Sequence, residues 1–146
     1  MQVRDLLKGK GDAVYAVKPT DSVYNAIEKM AELNIGAMVV LNGEKLAGII
    51  SERDYRNKVI LKGRTSKETE VLEIMTDQVF CVKPEDSVNL CMKLMTEQKI
   101  RHLPVINKEE KVVGVISIGD VVKTVIEKQK IEIDSLRNFI SGGYPG

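Results

Sequence analysis

The segment Val14-Tyr-Ala-Val-Lys-Pro-Thr-Asp-Ser-Val23 returns 65 positions later as Val79-Phe-Cys-Val-Lys-Pro-Glu-Asp-Ser-Val88. A second matched pair follows, Gly48-Ile-Ile-Ser-Glu-Arg-Asp54 and Gly114-Val-Ile-Ser-Ile-Gly-Asp120. A repeat of this length indicates two copies of one supersecondary unit, neither of which is expected to bury its apolar face alone. We therefore expect two halves related by a pseudo-two-fold axis, with the functional groove between them.

Each repeat is predicted to be a β-α-β-β-α unit, which makes the fold class α/β (α+β). Proline ends a short first strand, and Ser22 or Ser87, or the aspartate before each, then caps an amphipathic helix. A hairpin follows, and in the first repeat Asn42-Gly43 is a type I′ turn signal. The predicted strands are Val14–Val17, Ala37–Leu41 and Leu46–Ile50 in the first repeat, and Val79–Val82, Leu103–Ile106 and Val112–Ile116 in the second.

The predicted organisation is repeat 1 over residues 1–62, a polar connector over 63–70, repeat 2 over 71–128, and a helical extension and tail over 129–146. Similar segments, Val3–Leu7 and Val71–Met75, lead into the two repeats. The last helix is predicted to run beyond the repeat and to stop at Ser141-Gly-Gly. Its apolar residues fall on one stripe: Val122, Ile126, Ile133, Leu136 and Ile140.

Composition narrows the class of protein. The 146 residues carry 22 basic and 21 acidic side chains and no tryptophan, which makes a nucleic-acid partner unexpected. No apolar run approaches the roughly 20 residues of a membrane span, and the N-terminus lacks a signal-peptide pattern. Cys81 and Cys91 are interpreted as reduced, buried thiols, so the expected location is cytoplasmic.

Catalytic motifs are missing from the sequence. There is one histidine and no CxxC, HExxH, GxGxxG or GxxxxGK[ST] pattern. We therefore predict no enzyme activity, no metal site and no catalytic cofactor.

Two such units, each closing with Gly-h-h-Ser-x-x-Asp (h, apolar), resemble a tandem of cystathionine-β-synthase (CBS) domains, the Bateman module. The blocks Ile50–Tyr55 and Arg101–Val105 resemble those of small stand-alone members. The resemblance implies an adenosine-containing ligand (AMP, ADP, ATP, NAD or S-adenosylmethionine) between the repeats. It also implies energy or metabolite sensing that regulates an enzyme or transporter in trans, and pairing into a homodimer.

The duplicated Ser-x-x-Asp motif is the first candidate for ligand contact. A carboxylate can accept hydrogen bonds from both hydroxyls of a ribose, which points to Asp54 and Asp120. Ser51 and Ser117 begin the same helices, where free N–H groups suit ribose or phosphate oxygens. The alternative is that each motif is a capping box that serves only its own helix.

Phosphate contacts are predicted for Arg53, Arg101 and His102, the last two through the family resemblance. Their counterparts in the other repeat are Gly119, Gly36 and Ala37, so the two sites are expected to differ. The alternative for each is a surface role, or for His102 a core role.

The predicted adenine pocket is apolar, because a purine needs an apolar slot. A core role is the alternative for the two aromatic residues. The candidates are Tyr15, Ala37, Met38, Phe80, Leu103 and Pro104.

The leading hypothesis is thus a regulatory adenine-nucleotide-binding module. The alternative is an interaction or dimerisation protein whose cleft does not function and whose last helix is the working surface. The apolar stripe of that helix needs a cover, from its own module or from a symmetry mate.

Overall fold

A computed structural model describes residues 1–10 and 13–142, and it contains a mixed α+β fold. The first half contains a three-stranded sheet and the second a two-stranded sheet, with helices packed on both. The elements in chain order are α1 (Val3–Lys8), β1 (Ala16–Val17), α2 (Val23–Leu33), β2 (Ala37–Asn42), β3 (Lys45–Ser51), α3 (Glu52–Lys58), a 3₁₀ turn (Ile60–Lys62), α4 (Val71–Ile74), α5 (Val88–Glu97), β4 (His102–Ile106), β5 (Val112–Ser117), α6 (Ile118–Arg137) and a π-helical turn (Asn138–Gly142).

The first strand of each repeat is shorter than predicted. In repeat 1 only Ala16–Val17 pairs, in parallel with β2. In repeat 2 the predicted strand Val79–Val82 is reduced to one parallel bridge between Val82 and Val105. Pro104 stands where repeat 1 has Val39 and provides no N–H, so the ladder cannot extend back toward Phe80.

The first hairpin forms, but its predicted type I′ turn is wrong. Asn42 pairs with Lys45, so Gly43 and Glu44 are the central turn residues. Type I′ requires a positive φ at both, whereas only Gly43 has one, at 67°. Glycine at the first central position is the preference of a type II′ turn.

The two lead-in helices cross to the opposite repeat. Val3 and Leu6 of α1 are buried in the core of the second half. Val71 and Ile74 of α4 are buried in the core of the first half. Each core therefore combines residues from both sequence repeats.

Matching backbone hydrogen bonds anchor both crossings. The N–H of Val3 donates to the carbonyl of Asp86 (2.8 Å), and the N–H of Val71 donates to that of Asp21 (2.8 Å). Asp21 and Asp86 are equivalent positions of the repeat, so the predicted pseudo-two-fold relation holds at the level of single bonds.

The glycine of each Gly-h-h-Ser-x-x-Asp motif lies where a lead-in segment crosses a strand. A Cβ on Gly48 would lie 2.7 Å from the carbonyl oxygen of Thr76, and one on Gly114 would lie 2.5 Å from Cδ2 of Leu7. Hydrogen bonds of 2.9 Å in both directions join Thr76 to Ile49 beside this contact. The motif glycines thus allow the close approach that brings each lead-in to the opposite sheet.

Helix α6 extends past the repeat as predicted, and helical structure continues to Gly142. The sequence predicts that the helix stops at Ser141-Gly-Gly. The last residue of that predicted stop, Gly143, lies outside the described residues. The apolar stripe is not covered by its own module, since Ile126 is 57% exposed and Leu136 is 58% exposed.

Among the described helices, none has the length and apolar character that would let it cross a membrane.

We expect Gly48→Ala to destabilise the protein by about 1–3 kcal/mol, because the added methyl group meets backbone that cannot turn away. Gly114→Ala should cost less, since its obstacle is the end of a leucine side chain. The measurement is the free energy of unfolding in urea. Gly9→Ala is the control, because its Cβ would have no neighbour closer than 4.0 Å. Equal stability of the Gly48 and Gly9 variants would contradict the proposed close approach.

Candidate functional site

Two clefts open between the halves, one for each Ser-x-x-Asp motif. Cleft 1 has a cavity volume of about 540 Å³ and cleft 2 of about 370 Å³. Both lie within the roughly 300–1,000 Å³ of small-molecule sites. Cleft 1 is lined by Gly36, Ala37, Ile49, Ser51, Glu52, Arg53, Asp54, Arg56, Thr76, Gln78, Val79, Phe80, Ile100, Arg101 and His102. Cleft 2 is lined by Leu7, Lys10, Ala13, Val14, Tyr15, Asn34, Ile35, Gly36, Ala37, His102, Gly114, Val115, Ser117 and Asp120.

Each cleft combines the motif of one repeat with the start of the other. Ser51 and Asp54 face Phe80 in cleft 1, whereas Ser117 and Asp120 face Tyr15 in cleft 2. The crossing of the lead-in segments produces this exchange, because each continues directly into a cleft wall.

A shared wall separates the two clefts. Gly36, Ala37 and His102 line both of them. A Cβ on Gly36 would lie 3.4 Å from Cε1 of His102, so the missing side chain leaves room for the imidazole.

Both Ser-x-x-Asp motifs form the capping boxes given above as the alternative interpretation. The N–H of Asp54 donates to Oγ of Ser51 (3.2 Å), and Asp54 Oδ2 accepts from the N–H of Ser51 (3.0 Å). In the second motif, Oδ2 of Asp120 accepts from the N–H of Ser117 (2.8 Å). Capping uses one oxygen of each carboxylate, and a carboxylate has about four acceptor positions, so capping and ligand binding are compatible.

Each motif carboxylate also pairs with a lysine, but the two lysines lie in different places. Oδ1 of Asp54 is 3.1 Å from Nζ of Lys58, which lies one turn further along α3 and does not line cleft 1. Oδ2 of Asp120 is 2.7 Å from Nζ of Lys10, which lines cleft 2. Sequence reasoning missed both lysines. The i, i+4 spacing could have revealed Lys58, whereas Lys10 is 110 positions from its partner.

The predicted arginines meet in one cleft. Arg53 comes from repeat 1 and Arg101 from repeat 2, yet both line cleft 1, where Arg56 joins them. Nη1 of Arg53 donates to the carbonyl of Lys99 (2.8 Å), which links the two halves at the rim. Among the described residues that line cleft 2, Lys10 is the only lysine and there is no arginine. More basic side chains therefore line cleft 1 than cleft 2, which is a difference of the kind expected from the sequence.

The two equivalent aromatic residues lie at the clefts rather than in the core. Tyr15 is 46% exposed and Phe80 is 44% exposed, which leaves a ring face available to a ligand in each cleft. The structure does not bring Met38, Leu103 or Pro104 to either cleft wall. Met38 and Leu103 are buried in the two cores, and Pro104 is buried within β4.

Burial lowers the pKa of His102 from its usual value of 6.5. The cation of Lys10 lowers it further, Asp120 opposes this, and Arg101 and Arg53 add to the lowering. The imidazole is therefore neutral at pH 7. The described residues contain no group of three or more His, Cys, Asp or Glu side chains placed to hold a metal ion.

Comparison with known proteins was made at the levels of family, sequence and structure. A family model described as the CBS domain matches residues 3–60 and 71–127. The chain is 43% identical over 151 residues to the CBS domain-containing protein CBSX3, mitochondrial, of Arabidopsis thaliana, covering 97% of this chain and 73% of the relative. The name of that relative places it in mitochondria, so a cytoplasmic location for this chain stays a prediction.

Two solved structures share the fold. A putative signal-transduction protein with CBS domains from Burkholderia ambifaria is 49% identical, with a TM-score of 0.85 over 88% of this chain and 96% of that one. A CBS domain protein from Pyrobaculum aerophilum, complexed with AMP, is 23% identical, with a TM-score of 0.74 over 82% of this chain and 89% of that one. The second likeness supports the fold alone.

We expect the imidazole of His102 to titrate below pH 6.5. The chain has a single histidine, so its NMR signals need no assignment by mutation. Because the unfolded state takes up the proton first, the free energy of unfolding should fall as the pH drops through 6.5 toward the lower folded-state pKa. His102→Gln is the control and should remove this part of the pH dependence. A midpoint at or above 6.5 would contradict the buried, cation-flanked environment.

Proposed function

Since this chain belongs to the CBS-domain family, we propose that it is a regulatory module that binds an adenosine-containing ligand between its repeats and acts on a partner protein in trans. Members of this family with paired domains are generally regulatory rather than catalytic. The observation that carries the proposal is the set of groups around cleft 1: a motif carboxylate, a half-exposed aromatic ring and three arginines.

Each group in cleft 1 has a counterpart in a phosphorylated adenosine. Asp54 is assigned to the ribose hydroxyls, with Ser51 beside it. Phe80 is assigned to the face of the purine ring. Arg101 and Arg53 are assigned to phosphate, because guanidinium groups form strong, charge-assisted hydrogen bonds to phosphate oxygens. AMP, with which the Pyrobaculum aerophilum protein is complexed, is one ligand that has these three chemical parts.

The ligand proposal is tested by Asp54→Ala. We expect AMP or ATP binding to weaken by about 1.5–3 kcal/mol, the range for a hydrogen bond to a charged group. Asp5→Ala is the matched control, since Asp5 also accepts a capping bond (Gln2 N–H, 2.9 Å) but lines neither cleft. Affinities come from calorimetric titration, and unfolding in urea separates loss of the cap from loss of the ligand.

A ligand panel decides whether the cleft functions at all. AMP, ATP, NAD and S-adenosylmethionine are each added while the melting temperature is followed. A ligand at 100 times its Kd should stabilise the protein by about 2.7 kcal/mol. No response to any of the four would contradict a nucleotide-binding module and favour an interaction protein.

We further propose that the module is a homodimer in which α6 pairs with its copy. Ile126 and Ile133 lie seven residues apart in α6, and Leu136 follows Ile133 by three; Ile140 follows Ile133 by seven in the adjoining π-helical turn. This matches the a and d positions of a coiled coil, where Ile at a and Leu at d favour two strands. The described part of the chain leaves these side chains 49–69% exposed, so a second copy of the same stripe can cover them.

Ile133→Asp should convert the dimer to a monomer, because it places a charge in the apolar seam. The control is Ile131→Asp, since Ile131 is 66% exposed but lies off the stripe. Sedimentation should report about twice 16.3 kDa for the wild type and the control, and about half of that for Ile133→Asp.

Truncation after Lys128 should also weaken the dimer while AMP binding remains. A monomeric wild type would refute the proposal, and a truncated dimer would move the interface to other helices.

A further inference from the structure

The Ser-x-x-Asp motifs of the two clefts are alike, but the position of Lys10 makes the clefts different. Nζ of Lys10 lies 2.7 Å from Oδ2 of Asp120 and 2.8 Å from the carbonyl oxygen of Val115. Two bonds therefore hold the ammonium group against the carboxylate that corresponds to Asp54 of cleft 1. The side chain of Lys10 is 39% exposed and that of Asp120 is 25% exposed, so the pair lies partly within the cleft wall.

In the equivalent pair of cleft 1, the lysine lies outside the cavity lining. Lys58 contacts Asp54 from the same helix, and its other bond is to the carbonyl of Ile74 (2.9 Å) in the crossed helix α4. Lys58 does not line cleft 1. Lys10 therefore lies in the lining of the cavity from which a ligand would reach Asp120, whereas Lys58 is not in the lining of the cavity from which a ligand would reach Asp54.

We propose that Lys10 is a specificity-determining residue that competes with the ligand for Asp120, so that an adenosine-containing ligand fills cleft 1 before cleft 2. This inference rests on the proposed function. Ribose hydroxyls are neutral donors, and at Asp120 they would bond a carboxylate whose Oδ2 already accepts a charge-assisted bond from Lys10. The arginines of cleft 1 could offset such a cost for a phosphorylated ligand, and the described residues that line cleft 2 include no arginine.

The origin of Lys10 fits this role. It belongs to the lead-in segment that crosses from repeat 1 to the second half, and its N–H donates to the carbonyl of Leu7 (3.1 Å) at the end of α1. Leu7 in turn packs on Gly114, one residue before Val115. The same crossing that completes the core of the second half therefore places an ammonium group at its ligand carboxylate.

Calorimetric titration of the full chain with adenosine tests the inference, because adenosine has no phosphate that Lys10 could attract. In the wild type we expect a tighter site that Asp54→Ala weakens and a weaker site that Asp120→Ala weakens. Lys10→Met should tighten the weaker site by about two- to fivefold, a range set by a partly exposed ion pair. The tighter site should not change.

Two variants control for charge and fold. Lys10→Arg keeps a cation at the carboxylate and should leave the weaker site weak. Lys8→Met removes one positive charge from the same segment, but Lys8 is 75% exposed, lines neither cleft, and should leave both sites unchanged. Unfolding in urea checks that each variant is folded at the titration temperature.

Different results would overturn the role of Lys10 and the proposed nucleotide binding. An unchanged weaker site in Lys10→Met, with the tighter site intact, would overturn the inference and leave nucleotide binding standing. A loss of AMP affinity at that site without a gain for adenosine would also overturn it, because Lys10 would then be a phosphate ligand. Absence of adenosine and AMP binding in every protein would overturn the proposed function, and the inference with it.

Discussion

The crossed packing of the two lead-in helices is the constraint on which the other features depend. Neither repeat closes its own core, because α1 completes the second half and α4 the first. The crossing requires a glycine on each sheet, since a Cβ on Gly48 would meet the backbone of Thr76 at 2.7 Å. The two halves therefore share their cores, and the glycine of each motif is a packing requirement.

The clefts are a direct consequence of this arrangement. Each lead-in segment continues into the wall of a cleft that already contains the Ser-x-x-Asp motif of the other repeat. The frame is nearly symmetric, but the side chains on it are not. Arg101 in place of Gly36, and Arg53 in place of Gly119, bring their charges into cleft 1. Duplication thus supplies two sites, and a few side-chain differences on a similar backbone make them chemically different.

Stability and binding are assigned to the same atoms in the motif carboxylates. Asp54 and Asp120 each cap a helix, pair with a lysine and line a cleft. Capping fixes the carboxylate in one rotamer before any ligand arrives, which lowers the conformational entropy lost on binding. The same sharing makes a capping box and a ribose site identical at the level of sequence, because both need Ser and Asp at this spacing.

The sequence by itself determined the local features: the repeat, the helix caps at Ser51 and Ser117, and the long apolar stripe of α6. These depend on backbone dihedral preferences and on bonds between residues three or four apart, which a pattern records. Only the tertiary structure decided which groups share a cleft. Lys10 reaches Asp120 across 110 positions, and Met38 and Leu103 turn into the cores while Tyr15 and Phe80 stay at the clefts. Such contacts depend on how the two halves pack together, and the spacing of residues along the chain does not record that packing.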